Sequence, residues 1–73
     1  MKIEISLRDF LDSFITDEDF EISIYENGNE NALVYCTYVS SVLTGHKNLL
    51  NRKVDYIDLE HWNDRSWLMI NLK

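Results

Sequence analysis

Five apolar residues, Leu7, Phe10, Leu11, Phe14 and Ile15, recur at i, i+3, i+4, i+7 and i+8. No strand keeps that spacing on one side, so the segment is bound to an amphipathic helix with a single buried stripe. Arg8, Asp9, Asp12 and Ser13 fill the opposite face. Ser6 stands just before the stripe and Asp9 lies three residues on, the S-x-x-D form of a capping box. The pattern predicts a helix over Leu7 to Ile15, broken by Thr16-Asp17-Glu18-Asp19.

Around this helix the period changes to two. Ile3 and Ile5 alternate with Lys2, Glu4 and Ser6, which predicts a short opening strand. Phe20, Ile22 and Ile24 alternate with Glu21, Ser23 and Tyr25. Asn27-Gly28 follows, a strong hairpin signal because both residues tolerate positive φ. The return strand is expected over about Ala32 to Val39. A two-residue loop would set Ile22 opposite Leu33 and a three-residue loop would set it opposite Val34, and the sequence leaves both registers open. Ser40 or Ser41 is placed to cap one helical turn ending near Gly45. Residues 46–51 read as a loop with Leu49 and Leu50 turned inward. The last third reads as a second hairpin. A four-residue loop, Asn63-Asp64-Arg65-Ser66, would set Trp62 opposite Trp67, Leu59 opposite Ile70 and Ile57 opposite Leu72. One face is then Ile57, Leu59, His61, Leu68, Ile70 and Leu72. The other is Tyr56, Asp58, Glu60, Trp62, Trp67, Met69 and Asn71.

The expected fold class is α+β: one N-terminal amphipathic helix packed on a small antiparallel sheet of four or five strands, as a single domain over residues 1–73. One helix covers only part of one sheet face, so the other face should be mostly open. A chain of 73 residues hides only about 60% of its unfolded surface, too little for a two-domain enzyme with a large cofactor pocket. Proline is absent and only two glycines occur, so no flexible linker is expected. Cys36 is the single cysteine, which excludes an intrachain disulfide and suits a reducing, intracellular setting. No stretch approaches the roughly 18 apolar residues of a membrane span, and the first residues lack the apolar core of a signal peptide.

Thirteen acids face seven bases, for a formal charge of −6. That balance disfavours direct binding to nucleic-acid phosphates and to anionic membranes. Residues 1–30 hold nine acids and two bases, whereas residues 31–73 hold four acids and five bases. Carboxylates two apart on a strand, such as Asp19 and Glu21 or Asp58 and Glu60, project from one face about 6.6 Å apart. Phosphates along a DNA strand have a spacing of the same order, so such a surface can compete for a basic groove. Asp17, Glu18, Asp19, Glu21, Glu26, Glu30, Asp58 and Glu60 are the candidate partner-facing acids. Tyr25, Trp62 and Trp67 are the candidate apolar anchors, since tryptophan and tyrosine are enriched at binding hot spots. The plainer alternatives stay open: acids that keep a small protein solvated, and a tryptophan pair that stabilises its own hairpin.

Other chemistries lack their patterns. Asp17, Glu18, Asp19 and Glu21 lack the sixth-position glycine of a calcium loop. Cys36, His46 and His61 have no zinc-ligand spacing. No nucleophile elbow or phosphate-cradling glycine loop occurs. No catalytic, cofactor-binding or metal-binding residue is assigned, and the chain is expected not to be an enzyme. Lys47, Arg52 and Lys53 form only a loose basic cluster.

The segments Leu7-Arg8-Asp9-Phe10-Leu11, Ile22-Ser23-Ile24-Tyr25-Glu26-Asn27-Gly28 and Leu49-Leu50-Asn51-Arg52-Lys53-Val54 through Ile57 resemble a pattern in small proteins of phages and mobile elements of Gram-positive bacteria. Small size, acidity and lack of a catalytic signature also resemble anti-CRISPR proteins. That resemblance implies a phage-encoded inhibitor in the bacterial cytoplasm, which covers the basic DNA-binding groove of an RNA-guided nuclease. The group has no shared motif, so no residue carries over from it. The alternative is an accessory module that self-associates, as a homodimer, through the Trp62 and Trp67 face.

Overall fold

The computed structural model describes residues 4–15, 19–26 and 29–73. Helix α1 spans Leu7–Phe14, and the Ser6 side chain caps it by accepting a hydrogen bond from the Asp9 N–H at 3.1 Å. Eight residues are too few for a helix to persist alone in water, so packing must hold it. Leu7, Phe10 and Leu11 are buried, whereas Phe14 and Ile15 at the end of the stripe are exposed and half-buried. The first-turn N–H groups, which have no partner inside a helix, find them elsewhere. Leu7 N–H donates to the Arg52 carbonyl at 2.8 Å and Arg8 N–H to the Leu50 carbonyl at 3.0 Å. The expected opening strand is reduced to a single bridge between Ser6 and Lys53, with Val54 N–H donating to the Ile5 carbonyl. Its residues up to Ile3 lie outside those described.

Strand β1, Glu21–Glu26, and strand β2, Val34–Tyr38, form the first antiparallel pair. Neither expected register occurs. Ile24 faces Val34 and Ile22 faces Thr37, so the connection is longer than either tight turn. The Asn27-Gly28 turn lies outside the described residues. Between these pairs Ser23 alone opposes both Tyr35 and Cys36, a β-bulge on β2, and Cys36 sits at φ 48°. The buried Ser23 hydroxyl stabilises the bulge by accepting from the Cys36 N–H at 2.8 Å.

The return strand ends earlier than expected. Val39 opens helix α2, Val39–Gly45, and Ser40 and Ser41 lie inside it rather than capping it. Val39 and Val42 turn into the core. A 3₁₀ turn, Lys47–Leu49, follows, and Leu49 and Leu50 point inward as expected.

Strand β3, Val54–Trp62, and strand β4, Arg65–Leu72, form the second antiparallel pair. The loop is two residues, not four. Asn63 and Asp64 have φ of 49° and 64°, the conformation a type I′ turn requires. Arg65 therefore pairs with Trp62, Trp67 with Glu60, Leu68 with Leu59 and Ile70 with Ile57. The shift from the expected register is two residues, so the division into faces survives.

The class is α+β, with two helices and a four-stranded sheet in the order β2-β1-β4-β3. The sheet is mixed rather than antiparallel: its central strands β1 and β4 run parallel, with Ile22 beside Leu68 and Ile24 beside Ile70. Both helices pack on one face. Leu7, Phe10, Leu11, Val39, Val42, Leu49 and Leu50 meet Ile22, Ile24, Ile70 and Leu72 there. Among the described residues no helix is long and apolar enough to cross a membrane.

Candidate functional site

The face away from the helices carries the sequence's candidate anchors. On β1 it shows Glu21, Ser23 and Tyr25; on β4, Arg65, Trp67, Met69 and Asn71; on β3, Tyr56, Asp58, Glu60 and Trp62. Strand register arranges them in rows. Tyr25, Asn71 and Tyr56 lie side by side across three strands, and Ser23, Met69 and Asp58 form the next row. The bulge adds both Tyr35 and Cys36, because each touches a residue of this face.

A shallow pocket of about 160 Å³ opens on these rows, lined by Tyr25, Asn29, Tyr56, Glu60, Met69 and Asn71. Asn71 is buried and its Nδ2 donates to the Leu72 carbonyl at 3.3 Å. Burial first, and the Glu60 carboxylate second, push the Tyr25 phenol above its ordinary pKa. Glu60 and Tyr25 line the same pocket. Neither Asp58 nor Glu60 has a cationic partner among the described residues. Asp58 Oδ1 accepts from the Leu59 N–H, at 2.8 Å.

The other end of the face is internally neutralised. Arg65 is paired with the Glu21 carboxylate, which also accepts from the Cys36 thiol at 3.1 Å. The thiol bond and the arginine hold Glu21 below its ordinary pKa, against a smaller opposing effect of burial. Burial and the Glu21 carboxylate raise the Cys36 thiol, so a reactive thiolate is disfavoured.

The acids of the first thirty positions thus do not share one surface. Glu21 is on the open face and engaged by Arg65. Glu26 ends β1 and pairs with Arg52. Glu4 reaches Lys73 at 3.8 Å, and Asp9 and Asp12 are exposed on α1. Asp19 and Glu30 are exposed in the segments before and after β1. Asp17 and Glu18 lie outside the described residues. The acids of the open face without a cationic partner among the described residues, Asp58 and Glu60, come from the second half of the chain.

The two tryptophans separate as well. The two-residue turn moves Trp67 opposite Glu60, where it is only 5% exposed and the Tyr35 ring meets it edge-on at 5.9 Å. Its indole N–H has no acceptor among the described residues. Trp62 stays 69% exposed. Trp67 is thus buried on this face and Trp62 exposed. Tyr56, Met69 and Asn71 were visible as one side of the second hairpin, whereas Tyr35 was hidden by the bulge. Among the described residues no group of three or more His, Cys, Asp or Glu is placed to hold a metal ion. Comparison with protein-family models, with curated proteins and with solved structures finds no match to this chain.

Proposed function

We propose that the chain is a non-enzymatic protein-binding module that docks a basic partner on the open face of its sheet. One observation carries this: Asp58 and Glu60, without cations of their own among the described residues, stand among Tyr25, Tyr56 and Met69 on a face no helix covers. Aromatic anchors supply desolvated contact area, and carboxylates beside them select a positive partner and speed encounter. The net charge of −6 acts in the same direction. The resemblance to anti-CRISPR proteins specifies the partner further, as the basic DNA-binding groove of an RNA-guided nuclease inside a bacterial cell.

The test is DNA cleavage by a panel of purified, guide-loaded CRISPR nucleases with and without the protein. Inhibition by at least one of them, relieved by excess duplex DNA and lost on Asp58→Lys with Glu60→Lys, is expected. Association should slow about tenfold between low and roughly 0.5 M salt, where screening is nearly complete. Cleavage undiminished across the panel would remove the nuclease assignment. Binding that ignores both the charge reversal and salt would remove the basic-partner reading itself.

Self-association is the second reading. Leu59 and Ile57, on the helix-side face of the edge strand β3, are 67% and 41% exposed, and Trp62, 69% exposed, stands on the other side of the same strand at the hairpin end.

A further inference from the structure

We propose that the open-face pocket receives the guanidinium of an arginine side chain on the partner. This rests on the open face being the partner surface, and it names the group that the face is built to hold. The pocket joins two tyrosines and a carboxylate with no basic residue in its lining. Arg52 and Arg65 are already engaged by Glu26 and Glu21. A positive group entering the pocket would therefore meet the Glu60 carboxylate, the two tyrosines and neutral side chains, and no positive charge.

Shape narrows the ligand. Tyr25 and Tyr56 flank Asn71 on neighbouring strands, so their backbones stand about 9–10 Å apart, two interstrand spacings. A flat cation can lie between or against such rings and gain from their negative faces. The buried Asn71 closes the floor, and Met69 adds a polarisable wall. At about 160 Å³ the site is smaller than the roughly 300–1,000 Å³ of pockets that hold free small molecules. It suits a side-chain head group. Arginine fits better than lysine: its guanidinium is planar, more weakly hydrated than an ammonium and able to present two parallel N–H groups to one carboxylate, here Glu60.

The experiment is a ¹H–¹⁵N titration of the full chain with Nα-acetyl-arginine methylamide at constant ionic strength. The lysine and citrulline analogues serve as controls. Saturable shifts confined to the amides around Tyr25, Glu60 and Met69 are expected with arginine. Lysine should bind at least threefold more weakly, and citrulline, which has the same shape without the charge, should not saturate. Glu60→Gln keeps the volume and should weaken arginine about tenfold, while the exposed Asp12→Asn should leave it unchanged. Shifts that grow linearly, that citrulline reproduces, or that survive Glu60→Gln would overturn the assignment. The two readings fail separately. A basic partner still captured through Asp58 and Glu60, with no arginine saturation, would sink the pocket alone. Arginine saturation with no basic protein bound would leave the pocket and sink the wider function.

Discussion

Cys36 brings backbone strain and charge together in one residue. A non-glycine residue at positive φ is disfavoured, and the bulge holds it there through the Ser23 hydroxyl and the Glu21 carboxylate. The coupling has a pH signature at both ends. Glu21 is held below its ordinary pKa, so its contribution is present above the unfolded glutamate value and is lost as pH falls through the lowered one. The Cys36 thiol is raised, so the native state favours the protonated form. That contribution is present below the unfolded thiol value and is lost as pH rises through the raised one. Urea midpoints measured against pH should therefore fall on both limbs. Cys36→Ser should remove the thiol's share of the alkaline fall, leave that of the raised Tyr25 phenol, and keep the acid fall, because a serine hydroxyl can still donate to Glu21. Native Cys36 should react with iodoacetamide at pH 8 about tenfold slower than an unhindered thiol; alkylation at the free-thiol rate would disprove the thiol–carboxylate bond. None of this was readable from Cys36 in its apolar run. Alternation assigns one residue per step to a face, and a bulge breaks the count at a place set by Ser23, thirteen positions away.

At the scale of elements, local signals were legible and pairings were less so. Ser6 and the stripe up to Leu11 specify α1, because a cap and a 3.6-residue period need no distant partner. The second hairpin shows the limit. Its faces were legible because they depend only on parity, but its loop length was not. Asn63-Asp64 and the four-residue Asn63-Asp64-Arg65-Ser66 are both polar, and both leave the faces unchanged. The structure takes the shorter turn and commits two non-glycine residues to positive φ. Asn and Asp tolerate this better than other side chains, yet glycine is preferred at the second position. Asp64→Gly should thus raise stability by about 0.5–1 kcal/mol, seen as a melting temperature higher by roughly 2–8 °C for a domain of this size. Asp64→Val should lower it, since a β-branched residue at positive φ is an outlier. Equal melting temperatures for the two variants would show that the turn is not I′.

Taken as a whole, the molecule has one covered face and one open face, and the cause is topological. Pairing β1 parallel to β4 leaves β2 and β3 at the edges and brings both helices over the same side. No local pattern announces a parallel pair whose partners, such as Ile22 and Leu68, lie 46 positions apart, so the sequence could show that a face is open but not how its rows align. Near the distal hairpin the helix side is uncovered too, so Leu59 on that side of β3 and Trp62 on the open side are both exposed. Two associations can use the two sides of β3, and they respond to salt with opposite sign. Copies that each carry −6 repel, so screening should strengthen contact between their apolar residues. Contact between Asp58, Glu60 and a basic partner should weaken with the same addition. Sedimentation is expected to show a monomer at low salt that shifts towards a dimer near 0.5 M. Leu59→Lys should restore the monomer, by placing a charge in the apolar contact, while leaving partner binding intact because Leu59 faces away from Glu60. A dimer that persists at low salt and survives Leu59→Lys combined with Trp62→Ala would place the self-contact elsewhere on the molecule.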